Sequence, residues 1–210
     1  MMIAVPLVDG PGAWLTLDGV SIRAFGGRAE RVTAETIYGF VTEPTTLCFA
    51  VGHVVLEPLS WFVANDEVSL EGGRGLLIVK PGSRGLSQLG GPLEACGRLR
   101  YIDGCTDSLL VGPPRRGAPC ANHLHIPRGT RQSAHIHPSL RVGVVARGGG
   151  VCITERASHR LDAGSGFMIP AGLRHSFHTE KQSLDVWTWH PDSDTGPTDE
   201  DHPMVNRTLL

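Results

Sequence analysis

The sequence predicts an all-β protein, and three observations carry that prediction. Glycine and proline are abundant, 27 and 15 of 210 residues, and they punctuate the whole chain. Between them lie short apolar or alternating runs of the length of β-strands. Strong helix formers are sparse over most of the sequence, which disfavours a helical bundle or a βαβ sheet.

In chain order the runs are TTLCFAVGHVVLEP (45–58), GLLIVKPG (75–82), DSLLVGPP (107–114), NHLHIP (122–127), LRVGVVARGGGVCITE (140–155), GFMIPAG (166–172) and SLDVWTWHP (183–191). Each is closed by turn-forming residues. The segment AERVTAETIYGF (29–40) is ambiguous between a short helix and a strand, because its Val and Thr residues stiffen the side chain against a helix. The tail from Pro191 is acidic and turn-rich and reads as a surface loop, with PMVNRTLL available to dock on the body or on a partner subunit.

Composition excludes several function classes. Hydrophobic residues make up 40%, charged residues 19%, and the formal net charge is -2, so there is no basic field for nucleic acid. No apolar stretch approaches the ~20 residues that span a bilayer, and the N-terminal residues lack the pattern of a secretory leader. The five cysteines (48, 96, 105, 120 and 152) are scattered and form no CxxC pair. Free thiols in a reducing cytoplasm are the expectation. The sequon Asn206-Arg207-Thr208 is therefore given no role.

A weak internal repeat divides the chain. SLEGGRGLLIVKPGSRG (69–85) is similar to RLDAGSGFMIPAGLRHSF (160–177), with Leu70 matching Leu161. Such self-similarity suggests a duplicated domain, with a first unit at 1–104 and a second at 105–210. The first copy has a single histidine, His53, whereas all the other nine fall between 123 and 202. The second copy is thus the one expected to carry chemistry.

Its tightest constellation is Gly129-TRQSA-His135-Ile136-His137, followed by Gly164-SGFMI-Pro170-Ala171-Gly172-Leu173-Arg174-His175. On a strand, residues i and i+2 share a face, so His135 and His137 point the same way. A third imidazole beside them completes a donor set suited to zinc or a first-row transition metal.

These two motifs resemble those of the cupin superfamily: Gly, five residues, His-x-His; then Gly, five residues, Pro-x-Gly, two residues, His. The resemblance spans roughly residues 105 to 192. It implies a double-stranded β-helix, the cupin or jelly-roll barrel, and with the internal repeat the expectation is two such barrels in tandem, or one barrel with a long β-rich N-terminal extension. It also implies a single divalent metal, Fe2+ or Zn2+ with Mn2+ and Ni2+ as alternatives, held by His135, His137 and His175. Where the family usually places a Glu ligand, this chain has Arg141 and Val142. A guanidinium stays protonated and cannot replace a carboxylate ligand. The implied site is three-histidine, as in some cupin oxygenases such as the thiol dioxygenases.

Two further residues are candidates for chemistry. Arg141 either receives a substrate carboxylate bidentately or sits at the surface at a strand start. His125, which alternates with His123 just before the first motif, is a candidate acid–base group. Trp187 and Trp189 read as core, and His178 falls on the opposite face from His175. The expected function is a metal-dependent enzyme acting on a small anionic molecule in a dioxygenase-type reaction. A zinc-dependent lyase, isomerase or rearrangement, and a sensor without catalysis, stand as alternatives. A homodimer is expected, because edge strands need cover.

Overall fold

The structure, a computed structural model, describes residues 1–7 and 12–209. The first half of the chain contains β1 (Ile3–Pro6), β2 (Leu15–Leu17), β3 (Val20–Gly26), β4 (Glu30–Val41), β5 (Thr45–Phe49), β6 (Gly52–Leu56), β7 (Trp61–Glu71), β8 (Arg74–Val79) and β9 (Gln88–Gly90). The second half contains β10 (Leu99–Arg100), β11 (Thr106–Val111), β12 (Cys120–Ile126), β13 (Arg141–Thr154), β14 (Ser158–Asp162), β15 (Ser165–Ile169), β16 (His175–His178) and β17 (Leu184–His190). Among the described residues the only helical turns are two three-residue 3-10 segments, at Ile102–Gly104 and Val205–Arg207. None is long and apolar enough to cross a membrane. The ambiguous segment 29–40 is strand β4. It crosses two partners, and the stiff Val32, Thr33 and Thr36 suit a pleated surface.

All pairings are antiparallel, in two sheets. One runs β2-β3-β8-β4-β7-β5-β6, with β9 on β7. The other runs β1-β15-β13-β17-β12-β11-β10, with β14 and β16 both on β13. Strand β1 therefore leaves the first half to pair with β15, a long-range contact with no trace in local sequence pattern. Strand β13 is the spine of the second half. Its first part pairs with β15 and β17, its second part with β14 and β16, and the register shifts between Val145 and Arg147. That irregularity lets one strand bend from one wall to the other.

Three apolar clusters hold the molecule together. Phe25, Ile37, Leu47, Phe62, Leu70 and Leu77 fill the first half. Ile126, Val145, Phe167, Phe177 and Val186 fill the second. Between them lies a third cluster in which Tyr38, Phe40, Trp61 and Ile78 meet Val142, Val144, Met168, Trp187 and Trp189. The two-residue period of the strands explains this division. On β4, Ile37 and Val41 point into the first half while Tyr38 and Phe40 point across the junction. On β17, Val186 points inward while Trp187 and Trp189 point across. Phe40 stacks on Trp187 and Tyr38 tilts against Trp189, each at 5.4 Å between ring centroids. Strands buried on both faces lose simple polar–apolar alternation, which is why these runs read as continuously hydrophobic.

The repeated segments occupy matching hairpins. Leu70 and Leu161 are both buried ahead of a turn, and the strand after each turn docks on the long strand of its half: β8 on β4, β15 on β13. The acidic tail folds back on the loop after β11, with the Arg116 and Gly117 amides donating to the Pro197 and Ser193 carbonyls.

Candidate metal centre

The two motifs meet through backbone hydrogen bonds. His135 and His175 form an isolated bridge, each N–H donating to the other's carbonyl at 2.9 Å. The Gly172 amide donates to the His137 carbonyl at 2.8 Å. Gly172 has a φ of 71°, a left-handed turn that glycine adopts without steric cost, so the Pro-Ala-Gly turn delivers His175 to the start of β16. His135 and His137 lie on an extended segment before β13 rather than on a regular strand, because Pro138 follows at once and donates no hydrogen bond.

The three imidazoles converge. One ring nitrogen from each lies within 4.8 Å of the others, and the ring centroids are 4.7 to 5.2 Å apart. His135 donates its Nδ1–H to the Ser133 carbonyl and His175 donates its Nδ1–H to the Leu173 carbonyl, both at 2.8 Å. Those bonds fix the tautomer and leave the Nε2 lone pairs free. His175 Nε2 is buried and has no hydrogen-bond partner. A buried orphan acceptor is costly unless something satisfies it, and a metal ion would. Burial, then Arg141, then the neighbouring imidazoles hold the His137 pKa down to about 3. Burial also pushes His175 down. Both rings are therefore neutral near pH 7, the state a metal requires. The residues present fit a divalent metal.

The triad lies in the wall of a cavity of about 390 Å³. Leu124, Phe167, Ile169 and Phe177 give it an apolar body, and Leu99, Arg100 and Tyr101 also border it. Arg141 lines the same cavity, at the first position of β13. Its Nη1 donates to Ser139 Oγ at 2.7 Å and to the Ser139 and Leu140 carbonyls at 3.2 Å. No carboxylate lies within ion-pair distance of it among the described residues. Its nearest carboxylate is one hydroxyl away: Ser139 Oγ, which accepts from Nη1, donates to Asp192 Oδ1 at 2.6 Å.

His125 is not in this cavity. On β12, Asn122 and Leu124 face the cavity, so His123 and His125 face the other way. Both imidazoles donate to one oxygen of Asp185, at 2.7 and 2.9 Å, and Arg147 reaches the same oxygen at 3.3 Å. Arg147 also bonds the Leu93 and Glu94 carbonyls, tying the connecting segment to β13. The group is a buried polar clamp. Sequence reasoning missed Asp107, Asn122 and His190, which do line the cavity. For His190 a clue was present: if Trp187 and Trp189 share the core face of β17, Thr188 and His190 must share the other.

Comparison with known proteins agrees with this architecture. Residues 121–190 match the family described as AraC-like ligand binding domain. No curated protein matches the chain. Among solved structures, a cupin 2 conserved barrel domain protein from Leptotrichia buccalis is 14% identical, with a TM-score of 0.62 over 91% of this chain and 88% of that one. AerE from Microcystis aeruginosa is 12% identical, with a TM-score of 0.64 over 85% and 90%. A salicylate 1,2-dioxygenase variant from Pseudoaminobacter salicylatoxidans, in complex with gentisate, is 12% identical, with a TM-score of 0.58 over 82% and 68%. At such identities the likeness is one of fold, and the fold of this chain is that of the cupins, an all-β double-stranded β-helix.

Proposed function

We propose that this protein is a metal-dependent cupin enzyme in which His135, His137 and His175 hold one divalent ion and the adjoining cavity takes a small anionic molecule. The observation that carries the reading is the buried, unpartnered Nε2 of His175 within reach of two further imidazole nitrogens. With iron bound, such a three-histidine site supplies open positions for a substrate and O2, the basis of a dioxygenase-type reaction. The chain's own residues supply the rest. Arg141 receives the substrate's carboxylate with the donors that Ser139 and Leu140 leave free. Phe167, Ile169 and Phe177 exclude water around the body of the substrate.

We further infer a tandem organisation, with residues 1–104 as a degenerate structural copy and 105–210 as the working one. The matched Leu70 and Leu161 hairpins support it.

The test is metal analysis of protein purified without chelators, paired with O2 uptake against a panel of small aromatic and aliphatic carboxylates. Iron-dependent uptake supports the reading. Tightly held zinc with no uptake with any panel member would transfer the site to non-redox zinc chemistry. The match of residues 121–190 to a ligand-binding family favours a second reading, a metal-dependent binding module. Tight binding of a panel carboxylate without any turnover would select it.

A further inference from the structure

A second recess, a groove of about 600 Å³, lies at the junction of the two halves. It is on the other side of β12 from the metal cavity: Asn122 and Leu124 border the cavity, and His123 borders the groove. Trp61 of β7 forms one wall, Leu109 and Leu110 of β11 another, and the segment connecting β9 to β10 a third. That segment is pinned in place. The Leu93 amide donates to the Leu59 carbonyl at 3.0 Å, and the Arg98 amide donates to Ser108 Oγ at 2.9 Å. The walls are mostly apolar, and Leu99 and Leu109 at the rim are exposed. Large apolar side chains left open around a recess mark a place where an apolar body binds. The rim charges cancel, because Arg98 holds Glu94 in a bidentate ion pair at 2.6 and 2.8 Å.

Two buried polar groups in this groove have hydrogen-bonding capacity left over. Ser108 and His123 face each other directly across β11 and β12, so their side chains stand side by side on one face. Ser108 is 6% exposed and His123 1%. The Ser108 hydroxyl oxygen accepts from Arg98, but its own proton has no acceptor among the described residues. His123 donates its Nε2–H to the Asp185 carboxylate at 2.7 Å, which leaves Nδ1 of the neutral ring as a bare lone pair. That nitrogen has no partner among the described residues, yet it is not one of the fully enclosed unpartnered atoms. It therefore opens onto the groove that His123 borders. The two groups do not bond each other. One hydroxyl group set between them can accept from Ser108 and donate to His123.

We propose that this groove is a second binding site, separate from the metal centre, for an uncharged molecule that joins an aromatic body to a hydroxyl group, a phenol in the simplest case. The hydroxyl satisfies Ser108 and His123 together, and the body lies along Trp61 and the leucines. A hydrocarbon of the same shape leaves both polar groups unpaired. A carboxylate has no proton to give the Nδ1 lone pair and finds no free cation on the rim.

The experiment is nitrogen NMR of the histidine side chains in the full chain at mildly alkaline pH, titrated with 4-ethylphenol, ethylbenzene or 4-ethylbenzoate, without metal and again with Zn2+. Expected is a saturable shift of His123 Nδ1 with 4-ethylphenol, the same in both preparations. Ethylbenzene and 4-ethylbenzoate should bind there at least about fivefold more weakly, for want of the paired hydroxyl. Ser108→Ala should weaken 4-ethylphenol by about the same factor, and the wild-type titrations stand even where that variant folds poorly. Equal or tighter binding of ethylbenzene or 4-ethylbenzoate would overturn the proposal. So would a response confined to the histidine triad, or a His123 that ignores millimolar 4-ethylphenol because the groove holds water only. None of these readouts needs a metal, so a triad that binds no ion would remove the proposed function and leave this site standing.

Discussion

Replacing Asp185 by alanine removes the acceptor on which three donors converge, and its effect can be estimated from their surroundings. Asp185 is 3% exposed, and its Oδ1 takes His123 Nε2 at 2.7 Å, His125 Nδ1 at 2.9 Å and Arg147 Nη2 at 3.3 Å. Arg147 is 35% exposed at its side chain and keeps two carbonyl partners, so it rehydrates at small cost. His123, 1% exposed, cannot. Leaving that imidazole without its acceptor, and losing the charge-assisted bonds, costs about 3 kcal/mol. For a chain of this length that corresponds to a fall in Tm of roughly 6 to 12 °C. The assay is urea unfolding followed by tryptophan fluorescence, with Asp185→Asn as the variant that retains an oxygen acceptor. The pH dependence has a definite sign. Burial alone would raise the Asp185 pKa, but the bonds from His123, His125 and Arg147 outweigh it and hold the folded value below the ordinary one. The contribution is therefore complete above the unfolded value of about 3.9 and is lost as pH falls through the lower folded value. Because the clamp faces away from the cavity, metal binding should be unchanged at temperatures where the variant is folded. An Asp185→Ala protein within about 1 kcal/mol of wild type would refute this reasoning.

Other consequences follow from the same geometry. Trp187→Ala opens the junction between the two halves beneath Phe40 and should cost about 3 to 5 kcal/mol, read by the same unfolding assay. Arg141→Gln removes the positive neighbour of His137, so in metal-free protein the His137 pKa should rise from about 3, measured by NMR titration. The same variant should weaken binding of a small carboxylate at least about tenfold, measured by calorimetry. Asp103 accepts from the Ser133 amide at 2.6 Å and its hydroxyl at 3.1 Å, and the Ser133 carbonyl in turn holds His135 Nδ1–H. Asp103→Ala should loosen that support and reduce metal affinity about tenfold, measured by competition with a chromogenic chelator.

Much of this molecule was legible in its sequence because local rules and tertiary structure agree. The runs at 107–114, 122–127, 140–155 and 183–191 are strands β11, β12, β13 and β17. The two histidine motifs, about forty residues apart, do converge, because their glycine and proline turns set the chain direction locally. What was not legible depends on which face of a strand meets the cavity. Period two places His123 and His125 together but does not say whether they or Asn122 and Leu124 face inward. Asp185, across the sheet on β17, decides it by offering the imidazoles an acceptor on the far face. Strand β7 was obscured by the run Asn65-Asp66-Glu67, which lies where its partner β4 shifts register and Asp66 has a φ of 70°. The crossing of β1 to β15 depends on a partner more than 150 residues away, beyond any window of pattern.

Whether the three imidazoles share one metal ion is decided by anomalous diffraction from crystals of protein purified without chelators. A single anomalous peak is expected, bonded to the Nε2 atoms of His135 and His175 and to a ring nitrogen of His137, and absent from crystals of His175→Ala. A metal-replete protein whose only anomalous peak lies elsewhere, or a triad that stays metal-free in crystals soaked with Fe2+ and Zn2+, would contradict it.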